Sequence, residues 1–359
     1  MPVRAPCARS VWFVDVSDDF VDAVLASPLG VSWLAVLEAG GSGDRGWSST
    51  SPVADPSSVS AAVDRVGQMS FGSLVEAAVF AGVLESGPWI GDAPEKIAAA
   101  YREADRRAPI VEAVSERFGD RLHAPLDRDR QQWFSDGSPW LESIAPLFGS
   151  LDEVYGAGEF PIAGLWTSTD PPPDAIVEMV GAWEYETGPI SRWTLPVRPT
   201  ARVFEIHRPS DWAKLATAHP RHADPHPGWE LPGVNQRLSE IAPLLEGAPQ
   251  RAARDAVRRH LVPDWRAVSD RYDGIHLSWA GFITSEGCVV DLGDGDVTML
   301  RYWFSERTLW LADAFGEPTS APDPGINFAT GNHWPPRPPR IAVDADLIGR
   351  LLGRHATHS

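Results

Sequence analysis

The stretch Ile162-Ala-Gly-Leu-Trp-Thr-Ser-Thr169 marks the place where this chain changes its periodicity, and its reading decides the fold class. Before it, apolar residues recur mainly at helical spacing. From about residue 150 onward, short runs rich in β-branched and aromatic residues alternate with helical ones. Strands are predicted over 162–169, 192–197, 201–206, 274–284, 288–292, 297–304 and 308–312. Between them, helices are predicted over 174–183, 211–218, 234–245, 249–261 and 265–272. Gly293-Asp-Gly-Asp296, set between two apolar runs, reads as a hairpin turn.

Working back toward the N-terminus, Ser17 can cap a turn through Phe20, Val21, Val24 and Leu25, and Pro28 precedes a helix over 30–38 that Gly40 and Gly41 end. Residues 42–58 read as a Ser/Gly/Pro linker. Phe71, Leu74, Val75, Ala78 and Val79 predict an amphipathic helix over 70–84. Asp92, Pro94 and Glu95 have the chemistry of a helix start, predicting a helix over 93–106 with a restart at Pro109. The expectation is an α+β protein: a helical region over 1–150, then a Trp-rich domain over 151–315 built on a mixed, largely antiparallel sheet with helices. A Pro-rich tail over 316–359 with a short helix over 345–352 completes it.

Composition narrows the function classes. The chain has 359 residues, 43% hydrophobic and 22% charged, with a formal net charge of −18. So acidic a surface repels phosphate backbones, and no nucleic-acid partner is expected. Two cysteines, Cys7 and Cys288, build neither a disulfide framework nor a thiolate metal site. Asp15, Asp18 and Asp19 break the apolar run near the N-terminus, and no run of ~18 apolar residues occurs, so a cytoplasmic protein without membrane insertion is expected. Lys96 and Lys214 are the only lysines, which with abundant Arg, Ala, Pro and Gly points to a GC-rich genome. The 16 tryptophans suit both a well-filled core and a site that stacks planar ligands.

From Ala163 to Leu215 the order is distinctive. Ala-Gly-Leu-Trp-Thr-Ser-Thr is followed by a helix carrying Ile176, Met179, Val180 and Trp183. Then come Arg192-Trp-Thr-Leu-Pro-Val, Pro199-Thr-Ala-Arg-Val-Phe-Glu-Ile206 and Ser210-Asp-Trp-Ala-Lys-Leu215. This passage resembles the ADP-ribosyltransferase-like fold, in which a Gly-Leu-aromatic strand ending in Ser and Thr precedes a helix and paired strands at the nicotinamide pocket. The Trp motifs are also similar to those of bacterial proteins. The resemblance implies an NAD-using transferase or NAD-cleaving enzyme. Trp166 would pack under or stack on the ring, and Thr167, Ser168 and Thr169 would shape the nicotinamide end. Arg9 and Arg202 are both open for the basic residue of the first strand. Glu184 and Glu186 follow the hydroxyl strand too early to be the Glu-x-Glu pair of arginine-modifying members.

Such chemistry needs a carboxylate beside a developing oxocarbenium ion. Asp273, Asp264, Glu205 and Glu286 are the candidates. Asp273 is preferred, because Tyr272-Asp-Gly-Ile-His-Leu-Ser-Trp279 sets it at a turn with His276 and Ser278 on one face of the strand that follows. A plain Asp-Gly turn explains the same residues. The expected site is therefore Asp273 and Ser168 in catalysis, with Trp166, Thr167, Thr169, Arg202 and His276 around the cofactor.

Other clusters read more simply. His219, His222, Asp224 and His226 lie in a Pro-rich loop whose spacing matches no zinc signature, so no metal is expected. That loop would serve as a lid. Arg251, Arg254 and Arg258 share a helix face that suits solvent or an anion, and Asp291, Asp294 and Asp296 lack the calcium-loop pattern. Gly-Lys-Ser/Thr phosphate loops, dinucleotide fingerprints and nucleophile elbows are absent. The competing expectation is a non-enzymatic module, an immunity or regulatory protein whose acidic, aromatic-bearing surface engages a basic protein partner.

Overall fold

Asp19 and Ser27 start the first two helices. In the computed structural model, which describes residues 19–40, 56–82, 100–136, 148–155, 158–169, 190–223, 259–294, 296–303 and 305–320, Asp19 accepts the Asp22 N–H and caps α1 (Phe20–Ala26). Ser17 lies outside the described residues. Ser27 accepts the Gly30 N–H and caps α2 (Pro28–Ala39), with Pro28 at the helix start, where its missing donor costs nothing. Gly40 ends α2 at φ 105°, a left-handed conformation that favours glycine. After α3 (Pro56–Val66), Ser70 caps α4 (Phe71–Phe80).

The restart expected at Pro109 is corrected: one helix, α5 (Ala104–Leu122), runs through that proline. Pro109 removes one backbone bond. Arg107, Ile110, Val111, Val114 and Phe118 are buried along the helix, and packing of that face outweighs the local loss. Arg107 reaches Glu38 at 2.7 Å in an ion pair buried on both sides, tying α5 to α2. Ser58 also donates to Glu38, and Arg65 donates to the Leu37 and Glu38 carbonyls at 3.0 and 2.7 Å, satisfying the end of α2.

The sheet region carries β1 (Gln131–Asp136), β2 (Val154–Tyr155), β3 (Phe160–Pro161), β4 (Leu165–Thr169), β5 (Ile190–Thr194), β6 (Val203–Ile206), α6 (Pro209–Ala218) and β7 (Pro220–His222). It continues with β8 (Arg259–Pro263), α7 (Trp265–Ser269), β9 (Gly274–Leu277), α8 (Trp279–Ser285), β10 (Val289–Gly293), β11 (Asp296–Met299), β12 (Arg307–Trp310) and β13 (Thr319–Ser320). Seven strands order as β13-β5-β1-β4-β12-β9-β6, and four as β10-β11-β8-β7. Pairing is antiparallel except for β6 with β9 and β8 with β11. The α+β class and the mixed, largely antiparallel sheet are as expected, and the β10–β11 hairpin turns at Gly293 and Asp294, both at positive φ.

Four local readings change. β1 arises inside the region read as helical and sits in the middle of the larger sheet. The strand expected over 274–284 stops at Leu277, where Ser278 accepts the Gly281 N–H and starts α8. Every residue of α8 is buried, so it lacks the polar face by which a helix is recognised in sequence. The end of the helix expected over 249–261 is strand β8, residues 249–258 lying outside the described ones. Pro220–His222 pairs with β8 as β7 instead of forming a loop, while residues 224–226 lie outside. The helices expected over 174–183, 234–245 and 345–352 also lie outside.

One apolar cluster runs without a break from Val24, Trp33, Leu74 and Ile110 in the helices to Ile206, Trp212, Ile275, Leu277 and Leu309 under the larger sheet. Ser27 donates to the Ile283 carbonyl at 2.8 Å, joining α2 to α8 across this core. Trp33, Trp193, Trp212, Trp265, Trp279, Trp303 and Trp310 are buried. Among the described residues no single helix is long and apolar enough to cross a membrane. The bent pair α1–α2 passes that test by length and composition, and most of its residues are buried here.

Candidate functional site

Register alone brings four polar residues into one row across the larger sheet: Glu205 on β6, His276 on β9, Thr308 on β12 and Thr167 on β4. Their sequence neighbours Phe204, Ile275, Leu309 and Trp166 alternate to the other face and join the helical core. A polar row inside a protein is tolerable only when its atoms are paired. Here nearly all are. Thr167 donates to Gln131 Oε1 at 2.5 Å and accepts the Trp310 indole N–H at 2.8 Å; Gln131 Nε2 donates to Thr169 at 2.8 Å. The Thr308 hydroxyl, fully buried, is the exception, with no hydrogen-bond partner among the described residues.

His276, 2% exposed, sits between two carboxylates: Nδ1 donates to Glu205 Oε2, and Nε2 donates to Glu306 Oε1 at 3.1 Å. The Thr169 N–H reaches both oxygens of Glu306, at 3.0 and 3.3 Å. Burial alone would strip the proton from His276, but hydrogen bonds and charge from Glu205 and Glu306 outweigh it and push the imidazole up to about 9. Burial likewise would raise the Glu205 carboxyl. The His276 hydrogen bond and charge, the Leu126 N–H and His207 more than offset this and hold it below its ordinary value. At neutral pH, His276 is an imidazolium and Glu205 is ionised.

Glu205 and His207 alternate out of β6 onto the same face, and Oε2 of Glu205 lies 3.9 Å from His207 Nε2. The other ring nitrogen, Nδ1, bonds the Ser278 hydroxyl at 3.0 Å, and Ser278 also contacts the Ile206 carbonyl at 3.3 Å. Burial lowers the His207 pKa, with His276 and His123 adding to that and Glu205 and Asp211 opposing it. His207 is therefore neutral at pH 7. Two imidazoles of opposite protonation share one carboxylate oxygen, one deep in the sheet and one 28% exposed.

Ser278, His207 and Glu205 align in the order of a hydrolase triad, but Ser278 is 1% exposed and its oxygen caps α8. It orients His207 and is no nucleophile. A cavity of about 280 Å³ opens beside His207, lined by Phe20, Ala23, His123, Arg208, Asp211 and Thr284. It lies where the parallel strands β6 and β9 both end and α6 and α8 begin, the end of a parallel pair at which ligands bind in α/β sheets. Among the described residues no group of three or more His, Cys, Asp or Glu side chains could hold a metal ion.

The residues expected from the sequence fall into two groups. Thr167, Thr169 and His276 meet in the polar network, while Ser168 stands buried on β4 opposite Gln132. Trp166 is half-buried, met edge-on by Phe160 and Trp303 at 5.2 and 4.9 Å, with Arg307 over its ring. Asp273 and Arg202 pair with each other: the Asp273 carboxylate accepts the Arg202 backbone N–H at 2.7 Å and its guanidinium at 2.9 Å. That pairing holds Asp273 below the usual carboxylate range. None of these residues lines the cavity. Arg9, Glu184, Glu186, Asp224, His226 and Arg251, Arg254 and Arg258 lie outside the described residues. Cys288 is buried, its thiol pushed up to about 12 by burial.

His207, Glu306 and Gln131 are the members of the site that sequence reasoning missed. Glu205-Ile-His207 carried a usable signal, since two titratable residues two apart at a strand end share a face. Glu306 and Gln131 carried none, being brought to the rest only by the tertiary fold. Comparison of the chain with family models, with curated proteins and with solved structures returned no match.

Proposed function

We propose that the chain is an enzyme whose acid–base centre is the series His276, Glu205, His207, acting on a small substrate in the adjoining cavity. One observation carries the reading: Glu205 Oε2 faces a buried imidazolium on one side and a cavity-lining neutral imidazole on the other. With the Ser278 proton on the Ile206 carbonyl, His207 donates from Nδ1 to Ser278 and keeps its Nε2 lone pair. A substrate hydroxyl or water in the cavity beside Nε2 gives its proton to His207. Glu205 then stabilises the imidazolium that forms, and His276 keeps Glu205 ionised throughout.

The resemblance to the ADP-ribosyltransferase-like fold supplies a reaction of this kind, cleavage of the nicotinamide–ribose bond of NAD. We assign its carboxylate to Glu205, because Asp273 is committed to Arg202. An ionised Glu205 suits a developing oxocarbenium ion, and His207 would activate the attacking oxygen. A cavity of about 280 Å³ is near the lower end of the range for ligand pockets, roughly 300–1,000 Å³, and takes one half of a dinucleotide.

The test is nicotinamide release from NAD, run beside a panel of small glycosides and esters, by the wild type and by Glu205→Gln, His207→Asn and Asp273→Asn. Loss of about 10²–10⁴ in turnover is expected for the first two variants and none for the third. Turnover that survives both Glu205→Gln and His207→Asn would end the proposal. Absence of turnover on every substrate, with a stoichiometric protein recovered in a pull-down, would favour the alternative of a protein-binding module.

A further inference from the structure

Two imidazoles line one cavity: His207, just after β6, and His123, at the carboxyl end of α5. The other polar groups of the wall are engaged within the chain. Asp211 accepts the His207 backbone N–H at 3.2 Å and Lys214 Nζ at 2.9 Å, and it faces Arg208 Nε at 3.6 Å. Thr284 donates to the Ala280 carbonyl at 2.7 Å. The two rings are therefore the groups of this wall suited to give or take a proton near neutral pH.

His123 is exposed, and two contacts fix its ring. Nδ1 lies 3.0 Å from the Gly119 carbonyl, and Phe20, another lining residue, meets the ring edge-on at 5.1 Å. A carbonyl only accepts, so Nδ1 carries a proton in either charge state of the ring. Nε2 is the nitrogen that gains or loses one, and it has no hydrogen-bond partner among the described residues. His207 is arranged alike, with Nδ1 on the Ser278 hydroxyl. Each ring thus keeps Nε2 for exchange with a ligand.

Their surroundings give the rings different charge. His207 is neutral at pH 7, and charge on His123 is one of the influences that keep it so. His123 follows the last turn of α5, where carbonyls lack helical partners and positive charge is favoured. A space of about 280 Å³ is small enough that one sugar-sized ligand meets both.

We infer that His123 is the general acid of this site, and that the site therefore also cleaves glycosides whose leaving group is an alcohol. The inference rests on the reading of His207 as base and Glu205 as carboxylate. His207 Nε2 takes a proton from attacking water as the water oxygen bonds the anomeric carbon. The bond from that carbon to the leaving oxygen breaks, its electron pair goes to the oxygen, and His123 Nε2 gives that oxygen a proton. Exchange with solvent then restores both rings, His123 being exposed and His207 28% exposed. Nicotinamide leaves NAD uncharged, so on NAD His123 has no proton to give, and the pH dependence is that of His207 and His276 alone.

Methyl and 4-nitrophenyl β-ribosides test the acid, since nitrophenolate departs unprotonated and methoxide does not. His123→Gln should lower kcat/KM for the methyl riboside about 10²-fold or more and for the nitrophenyl riboside less than about threefold, whereas His207→Asn should lower both. Equal effects of His123→Gln on the two ribosides, or no effect on either, would overturn the acid role. So would a wild type without turnover of the methyl riboside. The acid–base reading of His207 fails separately, through NAD cleavage that survives both Glu205→Gln and His207→Asn.

Discussion

His276 and Glu205 stand directly opposite each other on the parallel strands β9 and β6, and the buried imidazole of the first is closed between that carboxylate and Glu306. Burying the ring by itself would have favoured the neutral form. Two hydrogen-bonded carboxylates reverse the balance, and the sheet carries a fixed positive charge in its interior.

Stability should therefore decline on the alkaline side. The folded pKa of His276, about 9, is above its ordinary 6.5, so its contribution is complete below 6.5 and disappears as pH rises through about 9. A shift of this size corresponds to on the order of 3 kcal/mol. Glu205 has the opposite sign: its lowered pKa adds stability above its ordinary 4.5 that is lost as pH falls through the depressed value. Urea midpoints measured from pH 4 to 10 should be highest between these limits, and Glu306→Gln should bring the alkaline loss to lower pH. An unchanged midpoint from pH 6.5 to 9.5 would contradict the imidazolium.

The same groups set a pH–rate profile. With His207 as base, kcat/KM should fall in acid with an apparent pKa below 6.5, since its folded pKa is lowered. The alkaline limb should lie near 9, where His276 loses its proton and Glu205 its partner. Asp273→Asn should leave both limbs in place, whereas a profile that follows Asp273 would restore that residue to the site.

Gly281 is the packing residue on which the site depends most directly. A Cβ there would overlap the Ile206 carbonyl oxygen, and Ile206 precedes His207. Gly281→Ala should cost about 1–3 kcal/mol and reduce turnover as well, because α8 must move away from β6 and take the Ser278–His207 bond with it. A protein of wild-type melting temperature and turnover would show that α8 is not so tightly seated.

Thr308 offers a contrary case. Its hydroxyl is fully buried and unpaired among the described residues, so Thr308→Val, which keeps the shape, should be neutral or stabilising by up to about 1 kcal/mol. Thr167→Val, which leaves Gln131 Oε1 and the Trp310 indole N–H without a partner, should instead destabilise by about 1–3 kcal/mol. Calorimetric melting of the two variants separates them.

Much of the fold was legible because local signals agreed with it. Pro28 opened a helix, Gly40 closed one, and the runs at 162–169, 201–206 and 308–312 became β4, β6 and β12. Legibility failed where burial removed the pattern. α8 has no polar face, so its Trp-Ala-Gly-Phe-Ile-Thr-Ser reads as strand, and only the hydroxyl of Ser278 marked the true boundary. Pro109 misled in the other direction, since tertiary contacts of α5 overrode the break it signals. In the site, His276 and the Thr167–Thr169 hydroxyls were legible. Glu306 and Gln131 were not, because they join it from segments distant in the sequence.

By itself the sequence determined an acidic α+β chain with helices first and a mixed sheet after, since charge, periodicity and turn chemistry are local properties. Only the tertiary structure decided which carboxylate met which imidazole. Asp273 and Glu205 are both acidic residues beside strands, yet one is held by Arg202 and the other by His276. The physical reason is register: parallel pairing of β6 with β9 sets Glu205 against His276, and no pattern along either strand specifies its partner.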